Sequence, residues 1–194
     1  MDMHLIEMRL ARLAKLGDRG AFADLVELYK DKMYHLAYRM LSNRQEAEDV
    51  VQETFLRVFR NLSRYDETMK FSTWIYRICT NVSIDRLRKR KTMIYSLDAD
   101  VASEGEGNAL YAMLASEELT PEGHAVLSDT QRSIRKAMDA LPSKYKSVVI
   151  LKYLHDMSLQ EIGDVLGMPV TTVKTRVHRG REFLRRKLEQ EDLL

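Results

Sequence analysis

Apolar positions recur along this chain at helical spacing almost from end to end. Leu5, Ile6, Leu10, Leu13 and Leu16 form a first stripe, which Gly17-Asp18 closes. A second runs through Phe22, Leu25, Val26, Tyr29, Met33, Leu36, Ala37, Met40 and Leu41. Ser42-Asn43 breaks it. Asn43, with Glu46 three residues on, reads as the cap of a third helix whose buried stripe is Ala47, Val50, Val51, Phe55, Val58, Phe59 and Leu62. The polar loop Ser63–Ser72, with Tyr65 and Phe71 near its ends, leads into a fourth helix from Thr73 to about Lys91. Trp74, Ile75, Ile78, Cys79 and Val82 are its inward positions.

A second series of helices follows a break in the pattern. Leu127 to Leu141 places Ile134, Ala137, Met138 and Leu141 inward. Pro142 ends that helix and opens another, which carries Val148, Val149, Leu151, Lys152 and Tyr153 on to His155-Asp156. Ser158 and Glu161 then form a capping box ahead of Leu159, Ile162, Val165 and Leu166. Gly167 stops this short helix and Pro169 follows. Thr171 or Thr172 caps a last helix with Val173, Val177, Phe183, Leu184 and Leu188 on its apolar side. A short helix, a glycine turn and a second helix make a helix-turn-helix pattern. The expected fold is all-α: two small helical domains joined by a flexible linker.

Charge locates that linker. Between Thr92 and Gln131 there is no Lys or Arg, while Asp98, Asp100, Glu104, Glu106, Glu117, Glu118 and Glu122 are interspersed with Gly105, Gly107 and Gly123. The composition suits a flexible acidic tether, with a helical turn near 109–114. The expected organisation is a domain over 1–95, the linker over 96–126 and a second domain over 127–194. Net charge is only +2, yet basic residues cluster at Arg86–Lys91 and Lys174–Lys187. Two such patches suggest two contacts with nucleic acid.

From Thr171 to Lys187 the basic residues Lys174, Arg176, Arg179, Arg181, Arg185, Arg186 and Lys187 face one acid, Glu182. Lys174, Thr175, His178 and Arg179 lie on the polar side of the N-terminal half, the part of a recognition helix that enters the major groove. Arg and Lys donate to guanine edges, Thr contacts a base or a thymine methyl, and the remaining cations neutralise phosphates. An ordinary solvated amphipathic helix is the alternative. In the first domain Arg77, Asn81, Asp85 and Arg88 line one polar face, with an amide and guanidiniums suited to bases and phosphates. The aromatic-flanked loop beside them could hold an unstacked base, unless its rings belong to the core. Asp49, Gln52 and Glu53 lie on the outer face of the third helix. Acids there favour the helix dipole, and would equally suit a basic protein partner.

Other classes find little support. No Gly-rich phosphate loop or nucleophile elbow occurs. His4, His35, His124, His155 and His178 are scattered without metal-ligand spacing, and Cys79 is the sole cysteine. No catalytic group, metal or cofactor is expected. No apolar run reaches membrane-spanning length and no signal-peptide pattern opens the chain, so a cytoplasmic location is expected.

Taken together, specific runs resemble a family. They are Asp49-Val50-Val51-Gln52-Glu53-Thr54-Phe55, Lys70-Phe71-Ser72-Thr73-Trp74-Ile75-Tyr76-Arg77-Ile78, the pair Asn81 and Asp85, and Pro169-Val170-Thr171-Thr172-Val173-Lys174-Thr175-Arg176 followed by His178-Arg179-Gly180-Arg181. In this order they resemble bacterial RNA polymerase sigma factors, and the two-domain form is similar to the extracytoplasmic-function (ECF) group, in particular SigW-like factors. The resemblance implies a sigma-2 domain and a sigma-4 domain. It implies that Asp49, Gln52 and Glu53 dock on the clamp helices of the polymerase beta-prime subunit, and that the loop with Tyr65 and Phe71 captures a flipped non-template base of the −10 element. Asn81, Asp85 and Arg88 would read and hold the upstream edge of that element. Thr172, Lys174, Thr175, Arg176, His178 and Arg179 would read the −35 element. Implied partners are core RNA polymerase, including its beta flap, promoter DNA and a membrane-anchored anti-sigma factor. Where the family commonly has Gly, this chain has Thr171, so a slightly different turn is expected there. The competing expectation is an ordinary helix-turn-helix regulator whose first domain senses a ligand or dimerises.

Overall fold

The structure, a computed structural model, describes residues 3–98 and 129–191. The described residues form helices, with no strand among them, and divide into two compact units. The first is built mainly on α1 (Met3–Lys15), α2 (Arg19–Leu41), α3 (Arg44–Asn61), a 3-10 turn (Leu62–Arg64) and α4 (Phe71–Asp98). The second is built mainly on α5 (Asp129–Asp139), α6 (Ser143–Tyr153), α7 (Leu159–Leu166) and α8 (Val170–Glu191).

Local chemistry sets the boundaries in the first unit. Gly17 turns the chain at φ +97°, a left-handed conformation that glycine adopts without a Cβ penalty. Asp18 then caps α2 by accepting from the Ala21 N–H at 3.0 Å. Ser42 closes α2 at φ 54°, its N–H donating to the Tyr38 carbonyl at 2.8 Å. Asn43 opens α3 by accepting from the Glu46 N–H at 2.9 Å. Each such cap contributes about 1 kcal/mol.

The core gathers Leu25, Tyr29, Met33, Leu36 and Met40 of α2, Val50 and Val58 of α3, and Ile75 and Cys79 of α4. Three stripes differ from the hydropathy pattern. On α1 the buried positions are Glu7, Ala11 and Ala14, while Leu5, Leu13 and Leu16 are exposed. The small alanines let α1 lie close on α2. On α3 the buried line is Ala47, Val50, Thr54 and Val58. The Thr54 hydroxyl is satisfied within its own helix by the Val50 carbonyl at 2.7 Å, so a polar residue can occupy the core. Val51 and Phe55 are half-buried flanks. Phe59 is 59% exposed, resting edge-on against Phe22 with ring centroids 5.2 Å apart. On α4 Trp74 is half-buried, not fully inward.

Helix α4 begins at Phe71, two residues before Thr73, and continues to Asp98, beyond Lys91 and the expected boundary at 95. The expected linker from residue 99 onward, including the turn near 109–114, lies outside the described residues, as does the start of the expected helix at Leu127.

In the second unit α5 buries Ala137 and Leu141 but leaves Ile134 47% exposed. The Pro142 carbonyl accepts from the N–H groups of Tyr145 and Lys146 at 2.8 and 3.0 Å and so starts α6. Val148, Val149, Ile150 and Leu151 are consecutive and all buried, as in a helix covered on every side. Helix α6 ends at Tyr153, short of His155-Asp156, and Asp156 makes the turn at φ 51°.

The capping box is present. The Ser158 hydroxyl accepts from the Glu161 N–H at 3.1 Å, and Glu161 accepts from the Ser158 N–H at 3.0 Å. Gly167, at φ +64°, ends α7, and the Met168 N–H reaches back to the Gly163 carbonyl at 3.0 Å. That bond is the six-to-one closure of a Schellman motif.

Neither threonine caps α8. The helix begins at Val170, and the Pro169 carbonyl accepts from the Thr172 and Val173 N–H groups at 2.9 and 3.1 Å. Thr171 and Thr172 sit inside the first turn. The non-glycine residues at positive φ among those described are Ser42 and Asp156, so Thr171 is not asked for the freedom of a glycine and the expected shift of the turn has no strained residue behind it.

Candidate nucleic-acid interface

The outer face of α3 carries the expected Asp49, Gln52 and Glu53, but its acids are already engaged. Asp49 Oδ2 accepts from Arg86 Nη1 of α4 at 3.3 Å, and Glu53 Oε1 accepts from Arg57 Nε at 2.7 Å. The Arg57 hydrogen bond, followed by the nearby positive charges, holds the Glu53 carboxyl below its ordinary range despite some desolvation. Gln52 is exposed between them. One and two turns further on, Leu56 and Phe59 are exposed at 49% and 59%. The face therefore combines paired acids, an amide and two apolar side chains. Hydropathy gave no signal for Leu56, and it placed Phe59 in the core.

Beside this face lies an open groove of about 310 Å³, lined by Arg57, Asn61, Arg64, Trp74, Ile78 and Asn81. Two guanidiniums supply positive charge, two amides supply donor–acceptor pairs, and the half-buried indole supplies a flat apolar wall. Such a set can hold an unstacked nucleotide by stacking, edge hydrogen bonds and phosphate neutralisation. Asn61 is oriented by its own helix, Nδ2 donating to the Arg57 carbonyl at 2.8 Å. Of the expected residues, only Asn81 lines this groove. Asp85 and Arg88 continue along the exposed side of α4 as a loose pair 4.0 Å apart. Arg57 and Asn61 carried no signal in the sequence, Arg64 was part of the Ser63–Ser72 loop without being singled out, and Trp74 was expected to face inward. Arg57 and Asn61 are an i,i+4 pair of polar residues on a helix, with nothing to mark them apart from any solvated face.

Tyr65 and Phe71 are not at the surface. Phe71 is 2% exposed and Tyr65 4%. Their rings meet at 5.6 Å, Phe71 also meets Tyr29 at 5.6 Å, and Trp74 packs on Tyr65 at 4.9 Å. Rings so covered offer no face to an incoming base. Here they anchor the two ends of the loop, and both rings pack against Trp74.

In the second unit Lys174, Thr175, His178 and Arg179 are exposed on α8, and Thr172 and Arg176 are half-buried. All six ride on one rigid helix. The Thr175 hydroxyl donates to the Thr171 carbonyl at 3.0 Å, which fixes its rotamer. Desolvation pushes the Tyr145 phenol up, but the neighbouring Arg179 and Lys144 outweigh it and hold the group below its ordinary value. Toward the C-terminus of α8, Arg185 is paired within the helix, bridging Glu182 at 3.1 Å and Glu189 at 3.3 Å, while Arg181, Arg186 and Lys187 are exposed. Among the described residues, no group of three or more His, Cys, Asp or Glu side chains is arranged to hold a metal ion, and no helix is long and apolar enough to cross a membrane.

The family model of sigma-70 region 2 matches residues 25–92, and that of sigma-70 region 4 matches residues 131–184. The chain is 48% identical to the ECF RNA polymerase sigma factor SigW of Bacillus subtilis (strain 168), over 97% of this chain and 98% of the relative. Among solved structures it is similar in fold to CnrH in complex with the cytosolic domain of CnrY, with a TM-score of 0.67 at 24% identity, covering 95% and 98% of the two chains. It is also similar to the sigma factor RpoE of Bartonella quintana in complex with the anti-sigma factor NepR, with a TM-score of 0.67 at 22% identity, covering 87% and 96%.

Proposed function

The chain belongs to the ECF sigma factors, whose work is promoter-directed transcription initiation, and we propose a division of that work between the two surfaces just described. The α3 face, centred on Asp49, Gln52 and Glu53 and extended by Leu56 and Phe59, docks core RNA polymerase on the beta-prime clamp helices. The second domain meets the beta flap. The groove beside α4 takes a flipped non-template base of the −10 element, with Asn81 on its edge, Trp74 against its face, and Arg57 and Arg64 near phosphate. Asp85 and Arg88 hold the strand upstream. Thr172, Lys174, Thr175, Arg176, His178 and Arg179 read the −35 duplex.

One coincidence carries this reading. The groove residues lie inside the region 2 match, and the exposed basic half of α8 lies inside the region 4 match. The alternative of a helix-turn-helix regulator with an N-terminal sensing or dimerisation domain gives way, because the N-terminal unit itself matches sigma-70 region 2.

Mechanistically, the protein holds an unpaired base in the groove and so favours the open strand over the closed duplex, a case of differential binding. The chemistry of RNA synthesis belongs to the polymerase. The site of action is accordingly the cytoplasm. A membrane-anchored anti-sigma factor is a fitting regulator, in keeping with the anti-sigma complex of the structurally similar RpoE.

Run-off transcription with purified core polymerase tests the whole. Promoter-dependent transcripts from genomic templates are expected, and none on any template would sink the reading. Docking is tested separately. Asp49→Arg with Glu53→Arg also leaves Arg86 and Arg57 facing like charge, so co-purification with core polymerase should be lost while helical content is kept. Retained co-purification would exclude that face.

A further inference from the structure

We infer that Lys15, the last residue of α1, is a positioning residue for the loop that runs between the groove residues Arg64 and Trp74, which makes α1 a working part of the strand-capture site. The inference rests on the groove reading above.

The loop from Tyr65 to Lys70 joins the 3-10 turn to α4 without regular structure of its own. Inside it, the Thr68 N–H donates to Asp66 Oδ1 at 2.9 Å and the Met69 N–H to the Asp66 carbonyl at 3.1 Å. The Tyr65 hydroxyl donates to the Met69 carbonyl. These bonds shape the loop from within, and the Lys70 carbonyl accepts from the Trp74 N–H of α4 at 3.2 Å. Its covered end rings, Tyr65 and Phe71, hold only its two ends. Lys15 supplies a hold from α1, 50 residues away in sequence. Its Nζ donates to the Tyr65 carbonyl at 2.8 Å and to Glu67 Oε1 at 3.2 Å. The first bond is partly buried and directed at backbone, so it sets the path of the chain and not merely a side-chain rotamer. The second closes an ion pair whose lysine is 29% exposed and whose glutamate is 42% exposed.

The position of Lys15 adds to the hold. A cation in the last turn of α1 is favoured by the helix dipole. The Asp66 carboxyl is held below its ordinary range chiefly by its bonds to Thr68, with the Lys15 charge contributing. One ammonium therefore bonds a carbonyl and a carboxylate of a single loop. A loop already ordered in the free protein has less entropy to lose on binding a strand, and preorganisation of this kind appears as affinity.

The test uses holoenzyme reconstituted from the full chain and core polymerase, on a promoter selected by that holoenzyme from a randomised pool. Strand opening is read by 2-aminopurine placed in the non-template strand. Lys15→Met keeps the aliphatic stem and removes the charge. It should lower the opening equilibrium about tenfold, as expected for losing a charge-assisted hydrogen bond. Lys15→Arg should restore it to within about twofold, because a guanidinium retains charge and donors. Glu67→Gln, which leaves the bond to the Tyr65 carbonyl, should lower opening by only about twofold, the scale of a partly exposed pair.

Asn81→Ala separates the two ideas, since Asn81 lines the groove without touching Lys15. Reduced opening in Asn81→Ala with normal opening in Lys15→Met overturns the positioning role and leaves the groove reading standing. Normal opening in both overturns the groove reading and the inference with it. A Lys15→Met loss that Lys15→Arg fails to restore, accompanied by a lowered melting temperature, assigns the residue to the fold alone and also overturns the proposal.

Discussion

In the first domain the groove side chains come from three elements, α3, the 3-10 turn and α4, and one of them, Trp74, packs on the covered rings of Tyr65 and Phe71. In the second, Thr172 to Arg179 ride on a single helix with their polar side in solvent. The charges differ in the same sense. Asp49 and Glu53 are paired with arginines of their own domain, whereas the N-terminal half of α8 presents Lys174 and Arg179 outward. A surface that reads a stable duplex needs a rigid rod of donors, which one helix supplies. A surface that must hold a base pulled from the stack needs a concave site, and concavity requires several elements fixed against one another.

The sharpest way to break this contrast is to remove the ring layer. Phe71→Ala deletes a side chain that is 2% exposed and touches Tyr29, Tyr65 and Trp74. It should cost the first domain about 4 kcal/mol, the range for buried Phe→Ala changes. Trp74, the single tryptophan, reports that loss by its fluorescence in urea. An unchanged midpoint would deny the layer its structural role.

The second domain has a corresponding weak point where α8 crosses α6. A Cβ on Gly180 would lie 2.6 Å from Val149 Cγ2 and 3.4 Å from Tyr145 Cβ. Val149 is buried and β-branched, so it has little room to turn aside. Gly180→Val should therefore destabilise this domain by about 3 kcal/mol through overpacking. Duplex binding should fall with it, while Trp74 fluorescence stays native. Urea unfolding followed by hydrogen exchange in α6 measures the change, and full protection in the variant would show that the helices can part.

The smallest expected effect is a difference in alkaline response. In the first domain burial pushes the Cys79 thiol from 9.0 up to about 12 and the Tyr65 phenol from 10.0 up to about 12. Burial also raises Tyr29, with Glu7 adding to it, and Tyr76. The unfolded chain releases these protons first. Stability from these groups is thus whole below about pH 9 and falls as pH climbs toward 12, on the order of 1 kcal/mol by about pH 10. In the second domain burial lowers the Lys146 pKa from its ordinary value, with Asp139 at 3.5 Å opposing. A lowered lysine binds fewer protons folded than unfolded, so its penalty fades as pH rises. Urea midpoints taken from about pH 8 to about pH 10 should fall for the first domain, and the same Lys146 group should not weaken the second. Parallel decline in both would remove the distinction.

Much of this protein was legible before folding. The caps at Asn43 and Ser158, the stop at Gly167, the two series of helices and the basic half of α8 all follow from short-range rules, because capping, turns and helical periodicity act within a few residues. For the same reason the exposed polar residues of α8 could be named from one stretch of chain. Short-range rules also misled. Thr54 looked polar and is buried, because its hydroxyl bonds within its own helix. Phe59 looked apolar and is exposed. Thr171 and Thr172 looked like caps, although the Pro169 carbonyl begins the helix. Tertiary structure alone decided that Tyr65 and Phe71 turn inward, that Arg57, Asn61, Arg64 and Trp74 converge with Asn81, that Arg86 pairs with Asp49 and that Lys15 grips a loop 50 residues on. Each of these depends on the distance between elements remote in sequence, which packing sets and hydropathy periodicity does not encode.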